Sequence, residues 1–335
     1  MKIALIGAGS WGTAVAGLLA DSVDYVAMWA HSPQTAEGIN SNHVNPRYLD
    51  GYRLPDNVTA SSSLQEVIDG AEGVIFALPS THLRSVAHEA AVYLDDSVPV
   101  LCLTKGVELT SGLLMTEVIG DEIGHPERIA ALSGPNHAEE ICRGGLSAAV
   151  IASEDPEVAE FFKAALISPA FRVYVSPDVV GVEMCGATKN IIAIVCGISA
   201  GSGYGDNTLA LIMTRGLAEI SRLVHARGGD PMTCMGLAGM GDLVATCTSE
   251  HSRNRSFGVA FAGGTSLDEY QQRSHMVVEG AAAARSVSEL ARELGVDAPL
   301  TFALERTLYH GGTLAEALEL LTDRFPTQEF YGMDD

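Results

Sequence analysis

The chain has 335 residues, 47% of them apolar, and a formal net charge of −22 at pH 7. That length suits two domains, each able to bury a core, and that charge excludes non-specific binding to nucleic acid. An anionic substrate would be repelled at long range, so its site must be a local cluster of cations.

In chain order, residues 2–6 read as a short buried strand. Gly7-Ala8-Gly9-Ser10-Trp11-Gly12 follows, and then the apolar helix pattern of residues 13–20. This is G-x-G-x-x-G between a strand and a helix, the context in which the motif signals a dinucleotide. Gly7 permits the tight turn, Gly9 lets a pyrophosphate approach the backbone, and Gly12 lets the helix pack close to the strand. The helix N-terminus offers its N–H groups and positive dipole end to the phosphates. A second strand, 24–30, ends without the acid that NAD-specific folds place on the ribose hydroxyls. His31 and Ser32 stand there instead, so NAD or NADP is admitted and NADP acceptance is favoured; the other reading has His31 stacking on adenine or facing solvent. Ser61-Ser62-Ser63-Leu64-Gln65-Glu66 opens a helix in capping-box style, with Ser63 or Ser62 as cap. Further strands are expected at 73–78, 98–103, 129–132, 146–151 and 171–175, the rhythm of a parallel α/β sheet. Leu78-Pro79-Ser80 ends a strand on the side where such sheets bind ligands. Ser133-Gly134-Pro135-Asn136-His137-Ala138-Glu139 reads either as another strand-to-helix loop with N–H groups for a ligand or as an ordinary loop.

Ser176-Pro177-Asp178 is a turn and marks a domain boundary, giving 1–177 and 178–335. Residues 178–225 read as one or two long helices, apolar on nearly every face and so buried against another domain or another subunit. A homodimer is expected. Residues 277–294 and 314–321 read as shorter amphipathic helices, and the tail from Tyr331 as frayed. The expected fold is an α/β N-terminal Rossmann-type dinucleotide-binding domain followed by a mostly α-helical C-terminal domain. No uninterrupted apolar run reaches bilayer length and no signal peptide precedes the first strand, so the expectation is a cytoplasmic protein without membrane insertion. The six cysteines form no C-x-x-C pair and read as small buried hydrophobes. The histidines show no ligand cluster, and no metal is expected.

Sixteen arginines stand against four lysines, Lys2, Lys105, Lys163 and Lys189. Where positive charge alone suffices, arginine serves; a retained lysine can do what arginine cannot, which is to release its proton. Lys2 starts a strand and Lys163 sits in a surface-type helix, which leaves Lys105 and Lys189 as candidates for chemistry. Lys189 lies in the small, apolar run Gly181–Ala193, where desolvation favours proton transfer near neutral pH, unless its side chain snorkels to solvent. Gly236-Leu237-Ala238-Gly239-Met240-Gly241-Asp242 is a glycine-rich turn delivering an aspartate that could steady Lys189. Ser252-Arg253-Asn254 places a hydroxyl, a guanidinium and an amide side by side, either to hold a phosphate or as a simple N-cap with a surface arginine.

The combination resembles the bacterial NAD(P)-dependent glycerol-3-phosphate dehydrogenases. The matching elements are residues 7–14, Asn45-Pro46-x-Tyr48-Leu49, Lys105-Gly106-x-Glu108, Ser133-Gly134-Pro135 with Ala138-Glu139, Gly186-Ala187-x-Lys189-Asn190, Gly203-Tyr204-Gly205-Asp206-Asn207, Gly239-x-Gly241-Asp242-Leu243 with Thr246-Cys247, and Ser252-Arg253-Asn254. The resemblance implies reversible reduction of dihydroxyacetone phosphate to sn-glycerol 3-phosphate, the backbone for phospholipid synthesis. It implies Lys189 as catalytic proton donor and acceptor, with Asp242. It implies substrate contacts from Lys105, Gly134, Asn136, Lys189, Asn190, Asp242, Ser252, Arg253 and Asn254. Cofactor contacts are implied for Gly7, Gly9, Ser10, Trp11, Gly12, His31, Tyr48, Lys105, Ala138, Arg253, Val277 and Glu279. Two other readings stay open: another dehydrogenase of this architecture, such as a β-hydroxyacid dehydrogenase or ketopantoate reductase, and a non-catalytic nucleotide sensor.

Overall fold

The computed structural model describes residues 1–274, 277–313, 316, 328–329 and 331–333. The chain divides into two compact units, one of Met1–Lys105 with Met115–Val179 and one of Gly106–Leu114 with Val180–Asp335. The detour of 106–114 into the second unit closes on an isolated bridge between Val107 and Leu114, and the strand–helix rhythm gives no sign of it.

The first unit is built on eight strands: β1 Lys2–Ile6, β2 Tyr25–Trp29, β3 Val58–Ser61, β4 Gly73–Phe76, β5 Val100–Cys102, β6 Ile129–Ser133, β7 Ser147–Ala152 and β8 Phe171–Ser176. Their order in the sheet is β3-β2-β1-β4-β5-β6-β7-β8. The helices are α1 Ser10–Ala20, α2 Pro33–Asn42, α3 Leu64–Ile68, α4 Ser80–Ala91, α5 Met115–Ile123, α6 Ala138–Cys142 and α7 Pro156–Leu166. Ser63 caps α3, its hydroxyl accepting from the Glu66 N–H at 3.3 Å. The core joins Ile3, Leu5, Leu19, Met28, Ile75 and Phe162 around the sheet.

Two features depart from the expected sheet. β3 was not expected, because Val58-Thr59-Ala60-Ser61 is four residues long with only Val58 and Ala60 buried, as suits an edge strand. β7 pairs with β6 antiparallel rather than parallel. The connecting α6 has five residues and is therefore about 7.5 Å long. That is too short to carry the chain back across the sheet, so β7 returns from the end at which β6 stops.

Register aligns the strand ends. Ile6 pairs with Trp29 and Phe76, Phe76 with Cys102, and Cys102 with Ala131. The segments following that row, at Gly7, His31, Leu78, Lys105 and Gly134, therefore share the carboxyl edge of the sheet, and the strand order reverses at β1, between β2 and β4, the place where open α/β sheets bind ligands. Thr104 ties two of these loops, its hydroxyl donating to the Leu78 carbonyl at 2.8 Å.

The second unit is helical, with α8 Val179–Gly201, α9 Asp206–Ala226, α10 Asp242–Thr248, α11 Arg253–Ala262, α12 Leu267–Ser274, α13 Glu279–Glu293 and α14 Pro299–Tyr309. Of the helix expected at 314–321 only Glu316 is among the described residues. Among the described residues one helix, α8, is long and apolar enough to cross a bilayer by length and composition; Glu183 and Lys189 interrupt its apolar run, and 83% of its most apolar window is buried inside the protein. α8 and α11 touch backbone to backbone: a Cβ on Gly258 would lie 2.2 Å from the Ile194 carbonyl oxygen. The tail is tethered at Tyr331, where fraying was expected. The Tyr331 ring lies 4.4 Å from the Arg222 guanidinium, and its hydroxyl donates to Asp297 at 2.9 Å.

Candidate active site

In the first unit the glycine loop is defined by what a side chain would strike. Gly7 has φ +128°, and a Cβ there would lie 2.3 Å from the Ala77 carbonyl oxygen. One on Gly12 would lie 2.1 Å from the Gly7 carbonyl oxygen, while one on Gly9 meets nothing within 4 Å. The turn and the helix packing therefore require Gly7 and Gly12. The fold itself does not require glycine at position 9, and the open space over its backbone would fit the close approach of a pyrophosphate. α1 begins at Ser10 with no side-chain cap and no acid in its first turn, so its N–H groups and dipole end keep their pull on an anion. Ser10 and Trp11 are half-buried beside it, and Tyr48 is half-buried in the loop after α2.

His31 is exposed just beyond β2, edge-on to Trp29 with ring centroids 5.9 Å apart. The Ser32 hydroxyl donates to Gln34 at 2.8 Å. Lys105 is half-buried three residues beyond β5. Gly134 follows β6 with φ +152°, where a Cβ would lie 2.7 Å from the Ala148 carbonyl oxygen. The Asn136 amide donates to the carbonyls of Ala148 and Pro135 at 3.0 and 3.1 Å, which leaves its own carbonyl for a ligand. Ala138 is buried at the start of α6.

The second unit places Lys189 near the middle of α8, 7% exposed. Its side chain does not snorkel. The ammonium donates to the Asp242 carboxylate and, at 2.8 Å, to the Thr246 hydroxyl. Thr246 in turn donates to the Asp242 carbonyl at 2.6 Å. Asp242 is 2% exposed and opens α10 directly after a π-helical turn, Leu237–Gly241. A Cβ on Gly239 would lie 2.1 Å from the Cys234 carbonyl oxygen, so the turn can wind this tightly only around glycine. A buried ammonium is tolerable when a carboxylate and a hydroxyl both receive its protons, and the triad meets that condition. Thr246 was visible in the sequence only as part of a run; its four-residue spacing from Asp242, one helical turn, was the available signal.

Ser252 is the N-cap of α11, its hydroxyl accepting from the Arg255 N–H at 3.3 Å. Arg253 is exposed at the first position of that helix. Asn254 is buried, and its carbonyl accepts from the Gly280 N–H at 2.9 Å, which leaves the amide NH2 as its donor. A Cβ on Gly280 would lie 2.5 Å from the Asn190 carbonyl oxygen, so Asn190, Asn254 and the start of α13 meet at one point. Glu279, half-buried, opens α13, and Val277 is exposed before it. No sequence signal marked this meeting, since it depends on a glycine 90 residues from Asn190.

None of the six cysteines is in a disulfide. Cys185 and Cys234 lie 3.6 Å apart, and Cys247 is raised above the usual thiol range by its hydrogen bond with Cys196 and by burial. Such thiols are inert. Among the described residues no group of three or more His, Cys, Asp or Glu could hold a metal ion.

Comparison with known proteins adds the following. A family model described as the NAD-dependent glycerol-3-phosphate dehydrogenase N-terminus matches residues 2–159, and one described as its C-terminus matches residues 178–319. A protein of Chlorobium phaeobacteroides named glycerol-3-phosphate dehydrogenase [NAD(P)+] is 45% identical over 99% of this chain and 100% of its own length. One of the same name from Corynebacterium urealyticum is 42% identical over 97% of this chain and 98% of its own. The crystal structure of glycerol-3-phosphate dehydrogenase from Coxiella burnetii matches with a TM-score of 0.92 at 36% identity, covering 96% of this chain and 99% of that one.

Proposed function

The chain belongs to the NAD-dependent glycerol-3-phosphate dehydrogenase family, and on that premise we propose how its residues carry out the family's reaction. The protein is an oxidoreductase that uses NAD or NADP to interconvert dihydroxyacetone phosphate and sn-glycerol 3-phosphate, the glycerol backbone of phospholipids. Membership settles the choice against a ketopantoate or β-hydroxyacid dehydrogenase and against a silent sensor.

When bound, the nicotinamide supplies or takes up the hydride. The glycine loop and the α1 N-terminus hold its pyrophosphate, with Ser10, Trp11, His31, Tyr48, Lys105, Ala138, Val277 and Glu279 as further cofactor contacts. Lys189 carries the chemistry of the ketone oxygen. Its ammonium polarises the carbonyl, stabilises the negative charge that develops as the carbon is reduced, and delivers the proton that makes the hydroxyl. In the reverse direction it takes that proton back. Asp242 and Thr246 fix the Nζ position throughout. In the second unit Arg253, Asn254 and Ser252 hold the phosphate with Asn190, so that binding energy remote from the carbonyl orients it; Lys105, Gly134 and Asn136 are further substrate contacts proposed from the first unit, Asn136 offering its carbonyl to a hydroxyl. The observation that carries this reading is the buried triad that joins Lys189 of the apolar α8 to Asp242 and Thr246 of α10. The enzyme is further proposed to be a cytoplasmic homodimer without membrane insertion or nucleic-acid partner.

The test is oxidation of NADH and NADPH by the purified chain with dihydroxyacetone phosphate, ketopantoate and plain dihydroxyacetone. Rapid turnover with the phosphorylated ketone alone supports the assignment. Faster turnover of ketopantoate would overturn it.

A further inference from the structure

The segment Asn45-Pro46-x-Tyr48-Leu49 has a role in none of the steps above except through Tyr48. The structure folds it into a closed lobe. Val44 bridges Arg53, and the Leu54 N–H donates to the His43 carbonyl at 2.7 Å. Leu49 has φ +59°, a conformation a leucine adopts only when its surroundings impose it. The lobe is seated on α1 and α2: the Tyr52 hydroxyl occupies the space a Cβ on Gly17 would need, and Pro46 lies where a Cβ on Gly38 would approach it to 2.9 Å.

At its centre Asn45 is 2% exposed, and every polar atom of its side chain is used. Its amide donates to the Ala8 carbonyl at 3.0 Å and to the Thr13 hydroxyl at 2.8 Å, and its own carbonyl accepts from the Arg47 N–H at 3.0 Å. Ala8 is the second residue of the glycine loop. A trans peptide points its C=O and N–H in opposite directions. Holding the Ala8 carbonyl inward therefore turns the Gly9 N–H outward, at the residue where a Cβ meets nothing within 4 Å. Released, that peptide could rotate and present a carbonyl oxygen to an incoming phosphate, replacing attraction by repulsion.

We propose that Asn45 is a positioning residue of the dinucleotide site, which locks the Ala8–Gly9 peptide in the orientation that binds a pyrophosphate. This role rests on the dinucleotide reading above. It acts on the phosphates alone, and that separates it from a general contribution to folding.

The experiment measures NADH, ADP and adenosine binding to the full chain, wild type and Asn45→Ala, by fluorescence titration and competition. NADH and ADP should weaken roughly ten- to hundredfold, the scale of a lost charge-assisted hydrogen bond, with adenosine within about twofold of wild type. The NADH KM should rise while kcat at saturating NADH is kept. Thr13→Val, which spares the Ala8 bond, should bind NADH within about threefold of wild type. Should Asn45→Ala not fold, Asn45→Ser, too short to reach Ala8, gives the same comparison. An equal loss for ADP and adenosine, or an unmoved ADP affinity beside a wild type that binds, overturns this role alone. A wild type that binds neither NADH nor ADP overturns the dinucleotide reading and this role with it.

Discussion

Arg253 and His31 are both exposed, and their worth lies in what they meet rather than in what they stabilise. Arg253 opens α11 beside the buried Asn254. Replacing it by alanine should cost about 2–4 kcal/mol in kcat/KM with dihydroxyacetone phosphate, roughly 30- to 1,000-fold. With dihydroxyacetone, which has no phosphate to lose, the loss should nearly vanish. Steady-state kinetics on both ketones checks this, and an equal loss on both would assign Arg253 to the cofactor or the fold. His31→Asp places a carboxylate where a 2′-phosphate would sit, so NADPH should weaken much more than NADH; equal changes would remove His31 from that position. Lys189 and Asp242, which the structure pairs, were legible as single residues because each is chemically out of place: a lysine among small apolar neighbours and an acid after glycines. Asn45 and Thr246 were not singled out, because a buried asparagine or threonine announces itself only by its partners.

At the scale of elements, strands with strong apolar runs were readable, and β3 was not, its four residues being half polar. The antiparallel turn of β7 follows from the length of α6, a quantity no residue pattern states. Helix ends show the same limit. α14 begins without a side-chain cap of its own and is served from α9. The Glu219 carboxylate, fully buried, accepts from the Leu300 and Thr301 N–H groups at 2.9 and 3.0 Å. Burial raises its pKa above the ordinary 4.5, although these hydrogen bonds and Arg222 pull it the other way. The folded chain therefore keeps this proton at pH values where the unfolded chain has lost it. Its contribution to stability is fully present below 4.5 and declines as pH rises through the folded value. Glu219→Gln should abolish that decline. It should also cost about 1–3 kcal/mol, because an amide NH2 then faces a backbone N–H. Thermal unfolding of both proteins across this pH range is the check; parallel pH profiles would show that Glu219 is not the titrating group.

Over the whole molecule the proposed proton-transfer group and the glycine loop fall in different units. The first carries the glycine loop, His31 and the Asn45 lobe, proposed for the dinucleotide, and Lys105, Gly134 and Asn136, proposed for the substrate. The second carries Lys189, Asp242, Thr246 and Arg253, proposed for the ketone, and Val277 and Glu279, proposed for the cofactor. Proton transfer should accordingly be separable from cofactor binding by one substitution in the second unit. The measurement is turnover of dihydroxyacetone phosphate by Lys189→Ala and Lys189→Arg at saturating NADH, beside the NADH dissociation constant of each. The account predicts a fall of about 10²–10⁴ in kcat for the alanine variant with NADH binding unchanged. It predicts no rescue by arginine, which cannot release its proton. A Lys189→Arg enzyme turning over at near wild-type rate would contradict it.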